Sequence, residues 1–293
     1  MGKLGDVRVF GVMGDPVDHS LSPAMHNAAF AASGLPHLYL RYRVPRPELG
    51  EALAEARRLA MGGINLTVPL KETALALVDS LTPEAERIGA VNTIRFERGA
   101  LVGDNTDAAG FLRALAGRVD LVDADVVVIG AGGSARAIGT ALATTGCRTM
   151  TIANRTVARA EGLADRLGAA GGPRIAAAGL EALGSPALLA NVRLIVNTTS
   201  AGLGDDAIPI RHAATARTCL FMDLVYGARP TAFLRAAARA RRRVLDGTGM
   251  LLHQGALAFE AWTGRPAPLA AMAGALSAAG LHVPSGRRTT SRS

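Results

Sequence analysis

The chain has 293 residues, 49% of them hydrophobic and 4% aromatic, with a net charge of +8. That length accommodates one large or two ordinary domains with cores built from Ala, Leu and Val. No apolar run reaches the ~18 residues of a membrane span, and the first residues lack the basic, apolar, small-residue order of a signal peptide. The two cysteines, Cys147 and Cys219, have neither metal-ligand nor redox spacing, so no metal is expected and a reducing cytoplasm is the expected compartment. The charge does not point to nucleic acid. Arg287, Arg288 and Arg292 lie in a polar tail over 282–293, expected to be disordered, and Arg239 and Arg241 to Arg243 end a helix-like segment, where cations suit the helix dipole. No nucleic-acid motif or aromatic interleaving accompanies them, and anionic small molecules account for the charge as well.

In chain order, residues 8–13 read as a strand and Gly14-Asp15-Pro16 as a turn. Ser22 followed by Pro23 reads as a helix start, with Ser at the N-cap and Pro at the first helical position. Ser20 and Ser22 together also place two hydroxyls at a helix N-terminus, a setting suited to a carboxylate. A strand is expected at 38–44 and an amphipathic helix at 47–60, stopped by Gly62-Gly63. A short strand follows, in which polar Asn65 and Thr67 alternate with Ile64, Leu66 and Val68. Pro69 ends it and Lys71 is expected to begin the next helix. A lysine there opposes the dipole, which singles it out, although a solvated surface lysine is the default reading. Strands at 89–96 and 101–105 are joined by a turn at Arg98-Gly99, and Asp107, read locally as an N-cap, leads into a helix at 108–116.

The most informative stretch comes next. Val126 to Ile129 reads as a strand buried on both faces, and Gly130-Ala131-Gly132-Gly133-Ser134-Ala135 follows at once. This is the G-x-G-x-x-[G/A] turn of a dinucleotide-binding βαβ unit. Gly130 permits the tight turn, Gly132 the close approach of a pyrophosphate, and Ala135 close packing of helix on strand. The next strand, 149–153, ends at Asn154-Arg155-Thr156, with Arg159 beyond. An NAD site ordinarily has Asp or Glu here for the ribose 2′-hydroxyl. No carboxylate is present to repel a 2′-phosphate, and two guanidinium groups are available to bind one, so NADP is favoured over NAD. Strands at 192–196, 220–224 and 244–245 follow, and in an open α/β sheet their carboxyl ends converge on one crevice. The apolar helix 250–259 carries Gln254, which needs a partner, protein or ligand. A last helix is expected at 268–279.

Taken together, the blocks SLSPAMHNAAF, INLTVPLKE, GAVNTI, GDNTDAAGF, VVVIGAGGSARA, ANRTVAR, NTTSAG, DLVYGARPT and GMLLHQGALAF, in this order, resemble the shikimate dehydrogenase family up to about residue 280. The resemblance implies an α/β fold: an N-terminal α/β substrate domain over 1–106 plus 248–281, a Rossmann-type doubly wound NADP-binding domain over 107–247, and C-terminal helices returning to the first domain. It implies reversible NADPH-dependent reduction of 3-dehydroshikimate to shikimate, a step of aromatic amino acid biosynthesis. Ser20 and Ser22 would hold the substrate carboxylate. Thr67, Asn92, Tyr226 and Gln254 would bind near the carboxylate or ring hydroxyls, and Asn65 lines the same strand tip. Lys71 and Asp107 would form the catalytic pair. Gly130, Ala131, Gly132, Gly133 and Ser134 would cradle the pyrophosphate. Asn154, Arg155, Thr156 and Arg159 would take the adenosine phosphate end, with Leu224 and Gly247 beside the nicotinamide. The partner implied is the small-molecule substrate, with neither nucleic acid nor membrane; a homodimer is compatible. The segment after Tyr226, Gly227-Ala228-Arg229-Pro230-Thr231, departs from relatives that have proline soon after the tyrosine. Quinate and aminoshikimate dehydrogenases share the architecture, and a non-catalytic nucleotide sensor on the same fold is the alternative from another class.

Overall fold

The computed structural model describes residues 7–169, 172–199 and 208–283. Most of the expected tail, and residues 200–202 of the NTTSAG block, lie outside them.

Two six-stranded sheets account for the fold. The first is built from β1 (Val9–Gly14), α1 (Ser22–Ala32), β2 (Leu38–Arg43), α2 (Leu49–Arg58), β3 (Gly63–Leu66), β4 (Ser80–Leu81), α3 (Pro83–Ile88), β5 (Thr93–Glu97) and β6 (Ala100–Asp104). Its order is β2-β1-β3-β5-β6-β4. β2, β1 and β3 run parallel, while β5 is antiparallel to both β3 and β6. The carboxyl ends of β1 and β3 therefore open on the same side as the start of β5, which collects Asn65, Asn92 and Thr93 at one edge.

The chain crosses to the second sheet through α4 (Asp107–Leu115). There follow β7 (Asp125–Ile129), α5 (Gly133–Ala143), β8 (Thr149–Ala153), α6 (Val157–Gly168), β9 (Arg174–Ala178), α7 (Pro186–Leu189), β10 (Val192–Asn197), β11 (Leu220–Asp223), α8 (Ala232–Arg239) and β12 (Arg243–Leu245). The strands are all parallel, in the order β12-β11-β10-β7-β8-β9. Order reverses between β7 and β10, the switch point at which doubly wound sheets bind their ligands. Val126 to Ile129 are at most 1% exposed, as the continuous apolar run requires of a strand covered on both faces.

The last helices, α9 (Thr248–Thr263) and α10 (Leu269–Ala278), pack back on the first sheet. Their apolar residues Leu251, Leu252, Phe259, Met272 and Leu276 join Met25, Phe30 and Tyr39 in one core. Trp262 Nε1 donates to the Ile94 carbonyl at 3.0 Å. α9 also lies hard against α4: a Cβ on Gly110 would come within 2.8 Å of Gln254.

Several local expectations are corrected. α1 starts at Ser22 itself, with Leu21 as its cap and no side-chain capping bond. The Ser20 hydroxyl instead accepts from the Ser22 N–H at 3.3 Å, which leaves the Ser22 hydroxyl for the interior. α2 ends at Arg58, with Ala60 in the left-handed region, so Gly63 opens β3 instead of stopping a helix. Lys71 does not begin a helix. Its carbonyl accepts from the Val91 N–H at 2.8 Å and is committed to the neighbouring segment, and only a short 3-10 turn, Thr73–Ala76, follows. Asp107 is the first residue of α4 and Thr106 its cap, so the Asp107 carboxylate is free for other partners.

Candidate active site

At the edge where the two sheets face each other, one hydrogen-bond network runs from the first sheet to the glycine turn of the second. It starts at Tyr39, fully buried on β2, whose hydroxyl donates to Asn65 Oδ1 at 2.7 Å. Asn65 Nδ2 donates to the Asn92 carbonyl at 3.1 Å and to Thr93 Oγ1 at 3.0 Å. The Thr93 hydroxyl donates to Asn92 Oδ1 at 2.9 Å, which also accepts from the Thr106 N–H at 2.8 Å. Asn92 Nδ2 then donates to Asp107 Oδ1 at 2.8 Å. The other carboxylate oxygen, Oδ2, takes the Lys71 ammonium at 2.6 Å.

Lys71 and Asp107 side chains are only 11% and 5% exposed, so the ion pair is largely withdrawn from water and both groups need the partners they have. Asn105 supports the same corner, accepting the Asp107 N–H at 3.0 Å and donating to the Ala90 carbonyl at 2.8 Å. Lys71 Nζ also reaches Ser134 Oγ, 3.1 Å away on the first turn of α5. One ammonium thus bridges the first sheet and the nucleotide-type turn.

A second polar group lies at the start of α1. Arg41 holds the loop there through its Nε and Nη2, which donate to the Ser20 carbonyl at 2.8 and 2.6 Å. The Ser22 hydroxyl reaches the Tyr39 phenol, and burial holds that phenol well above its ordinary pKa. Tyr226 is drawn to the same corner by the Leu21 backbone and the Ser20 hydroxyl. Burial raises its pKa too, so both tyrosines stay neutral hydrogen-bonding groups. Ser20, Ser22, Asn65 and Tyr226 are therefore gathered around Tyr39. Thr67 sits on the adjoining loop, its N–H on the Met13 carbonyl at 2.9 Å. Gln254 finds its partner within its own helix, Nε2 donating to the Leu251 carbonyl at 3.0 Å.

The glycine turn has the shape that a dinucleotide needs. Gly130 has φ of +110°, and a Cβ there would fall 2.5 Å from Thr198 Oγ1. Gly133 lies so close to Lys71 that a Cβ would meet the lysine Cβ at 2.8 Å. Gly132 caps α5 without any side chain, and the helix N-terminus behind it offers free N–H groups and positive dipole to phosphate. At the end of β8, Asn154 Nδ2 closes the turn by donating to the Thr156 carbonyl at 2.8 Å. Arg155 is exposed, while Arg159 leans back towards the turn, donating to the Ala131 carbonyl at 3.4 Å. Leu224 and Gly247 are brought together: a Cβ on Gly247 would stand 2.0 Å from the Leu224 carbonyl oxygen. A dinucleotide therefore fits the residues present. No group of three metal-ligating side chains occurs among the described residues.

Sequence reasoning passed over Tyr39, Thr93, Asn105 and Thr106. Their signal was weak, since each also needs a partner distant in sequence: Asn65 for Tyr39 and Thr93, Ala90 for Asn105 and Asn92 for Thr106. It also missed Asp223, fully buried at the end of β11, where it accepts from Asn197 Nδ2 at 3.0 Å, the Val225 N–H at 3.1 Å and Thr231 Oγ1 at 2.6 Å. Those bonds fix the loop that carries Leu224 and Tyr226.

Three family models match the chain. They describe a shikimate dehydrogenase substrate binding domain over residues 12–94, a shikimate/quinate 5-dehydrogenase over residues 114–204, and a shikimate 5′-dehydrogenase C-terminal domain over residues 247–276. A shikimate dehydrogenase (NADP⁺) of Methanopyrus kandleri is 44% identical over 272 residues, covering 91% of this chain and 94% of its own. The crystal structure of shikimate 5-dehydrogenase from Thermus thermophilus in complex with NADP(H) and shikimate is similar with a TM-score of 0.80 and 43% identity, covering 93% of this chain and 99% of that one. Quinate dehydrogenase from Corynebacterium glutamicum in complex with NAD is similar at TM-score 0.83 and 30% identity, over 93% and 99% of the two chains.

Proposed function

The chain belongs to the shikimate dehydrogenase family, and from that premise we propose that it catalyses the reversible NADPH-dependent reduction of 3-dehydroshikimate to shikimate, a step of aromatic amino acid biosynthesis. The observation that carries the reading is the position of Lys71, whose ammonium is 2.6 Å from Asp107 and 3.1 Å from Ser134 on the glycine turn. A single proton donor therefore stands between the substrate-side network and the cofactor-side turn.

When bound, the nicotinamide cofactor supplies the hydride. Lys71, held in place by Asp107, stabilises the charge that develops on the substrate oxygen and delivers its proton there. In the oxidative direction the same nitrogen accepts the hydroxyl proton. Asp107 positions Lys71, and Asn92 in turn fixes Asp107. Ser20 and Ser22 take the substrate carboxylate, with Tyr226 and Tyr39 neutral beside them. Asn65, Thr67 and Gln254 complete the surface facing the carboxylate or ring hydroxyls. Gly130, Ala131, Gly132, Gly133 and Ser134 hold the pyrophosphate, and Asn154, Arg155, Thr156 and Arg159 the phosphorylated adenosine end. Leu224 and Gly247 pack beside the nicotinamide.

The substrate domain comprises 1–106 and 248–281, and the cofactor domain 107–247. The proposed setting is the cytoplasm, where NADPH is supplied and where Cys147 and Cys219, both free and buried, remain thiols. The absence of any carboxylate in Asn154-Arg155-Thr156 favours NADP over NAD, and shikimate over quinate as substrate.

Initial rates of the purified protein with shikimate and with quinate, each with NADP⁺ and NAD⁺, test the reading. Strong turnover with shikimate and NADP⁺ alone is expected. Preference for quinate with NAD⁺ would overturn the substrate and cofactor assignments while keeping the role of Lys71.

A further inference from the structure

Glu72 follows Lys71 in the chain, and its carboxylate reaches across to the second sheet. Oε2 lies 3.1 Å from Arg136 Nη2 on α5, and Oε1 lies 3.6 Å from Arg159 Nη2 on α6. The same Oε1 lies 3.9 Å from where a Cβ on Gly132 would stand, so the carboxylate stands beside the glycine turn without closing it. Arg136 anchors it there and Arg159 is drawn towards it. Arg155 and Arg159 are both exposed, but Arg155 enters no ion pair among the described residues. The two arginines, Arg155 after β8 and Arg159 on α6, are therefore unequal: a 2′-phosphate meets Arg155 without competition but must share Arg159 with an internal anion.

We propose that Glu72 is a specificity-determining residue, which competes with the cofactor 2′-phosphate for Arg159 and so sets how strongly a phosphorylated dinucleotide is preferred to an unphosphorylated one. This rests on the NADP reading above and adds a residue to it. The contact crosses between the sheets, so a purely bracing role is the competing explanation, and the two differ in what they predict. A competitor selectively weakens NADP⁺. A brace affects NADP⁺ and NAD⁺ alike.

The test is calorimetric titration of the full-length wild type and of Glu72→Gln with NADP⁺ and with NAD⁺, at low and high salt. Glu72→Ala is run beside them so that the result does not rest on one variant folding, and Glu72→Asp asks whether charge alone restores the wild-type ratio. For a partly exposed ion pair the expected gain is about three- to fivefold tighter NADP⁺ binding in Glu72→Gln and Glu72→Ala. NAD⁺ should change by less than about twofold, the difference should shrink at high salt, and Glu72→Asp should move back towards wild type. An unchanged ratio of the two affinities, or weaker NADP⁺ binding, in variants of a wild type that prefers NADP⁺ would overturn the inference alone. A wild type that binds neither dinucleotide, or prefers NAD⁺, would overturn the cofactor reading and this inference with it.

Discussion

Asn92 donates its side-chain N–H to Asp107 Oδ1 at 2.8 Å, on the carboxylate oxygen opposite the one that Lys71 reaches. Each oxygen therefore has its own donor, and the carboxylate cannot rotate without losing one of them. Asn92 is 2% exposed and is itself held from the Thr106 N–H and the Thr93 hydroxyl. The orientation of the ammonium is thus set by a chain of buried bonds.

Two substitutions separate chemistry from positioning. Lys71→Met removes the proton donor and is expected to lower kcat by about 10²- to 10⁴-fold with a smaller change in KM. Asn92→Ala leaves Lys71 in place but strips Asp107 of one partner and the Thr106 N–H of another. A loss of about 1–3 kcal/mol in stability and a lower kcat are expected. Steady-state kinetics and denaturant melts of both variants check this. Near-normal turnover in Lys71→Met would remove Lys71 from the chemistry.

His26 predicts an acid-sensitive core. Its ring is fully buried, stacks on Tyr39 at 4.4 Å and 6°, and neither nitrogen has a hydrogen-bond partner among the described residues. Burial lowers its pKa from 6.5 to about 3. A depressed folded-state pKa gives stability that is full above 6.5 and is lost as pH falls towards 3, on the order of 5 kcal/mol in all. Because Tyr39 carries Asn65, substrate binding should weaken with it. His26→Phe keeps a ring on Tyr39 without a group to protonate. Denaturation at pH 7 and pH 4 should show a smaller acid loss in His26→Phe than in wild type; equal losses would assign the effect elsewhere.

Asp223 has the opposite sign. Burial raises its pKa from 3.8 to about 6, against the pull of Thr231, Val225 and Asn197. A carboxyl whose folded pKa is raised contributes stability that is full below 3.8 and lost as pH rises through about 6. Asp223→Asn cannot ionise and retains an acceptor oxygen, so it should be at least as stable as wild type at pH 8 and flatter across pH 4 to 6. Asp223→Ala removes the acceptor for Val225 and Thr231. It should lose about 1–3 kcal/mol and, with the Leu224–Tyr226 loop released, raise KM for both ligands.

The second sheet was legible because its strands are continuous apolar runs broken by glycine. The run 149–153 coincides with β8, and β7 needs only Asp125 added to the stretch Val126–Ile129. β9, Arg-Ile-Ala-Ala-Ala, escaped because three alanines carry no strand signal; only its pairing with β8 makes it one. Within the site, Lys71 stood out through its conflict with an expected helix dipole, although the helix itself is absent. Asp107 read as a cap because sequence cannot see Lys71 approaching from another segment. Tyr39 and Glu72 were invisible for the same reason: a buried strand tyrosine and a surface glutamate look ordinary until folding supplies Asn65 to one and Arg136 and Arg159 to the other.

Gly247 gives a backbone test of the cofactor side. It precedes α9, and a Cβ there would lie 2.0 Å from the Leu224 carbonyl oxygen, a rigid backbone atom that cannot give way as a flexible side chain would. Gly247→Ala must therefore push α9 away from the β11 loop. A loss of about 3 kcal/mol or more is expected, with NADP⁺ affinity falling further than the stability loss alone would produce. Gly274 is the control, exposed in the middle of α10 with nothing within 4 Å of an added Cβ. Gly274→Ala should stabilise by about 0.5–1 kcal/mol, as removing glycine from an unstrained helix interior does, and leave cofactor binding untouched. Thermal melts and dinucleotide titrations on the pair decide it. If Gly247→Ala bound NADP⁺ as the wild type does, the contact between Leu224 and α9 would have no part in shaping the nicotinamide end of the site.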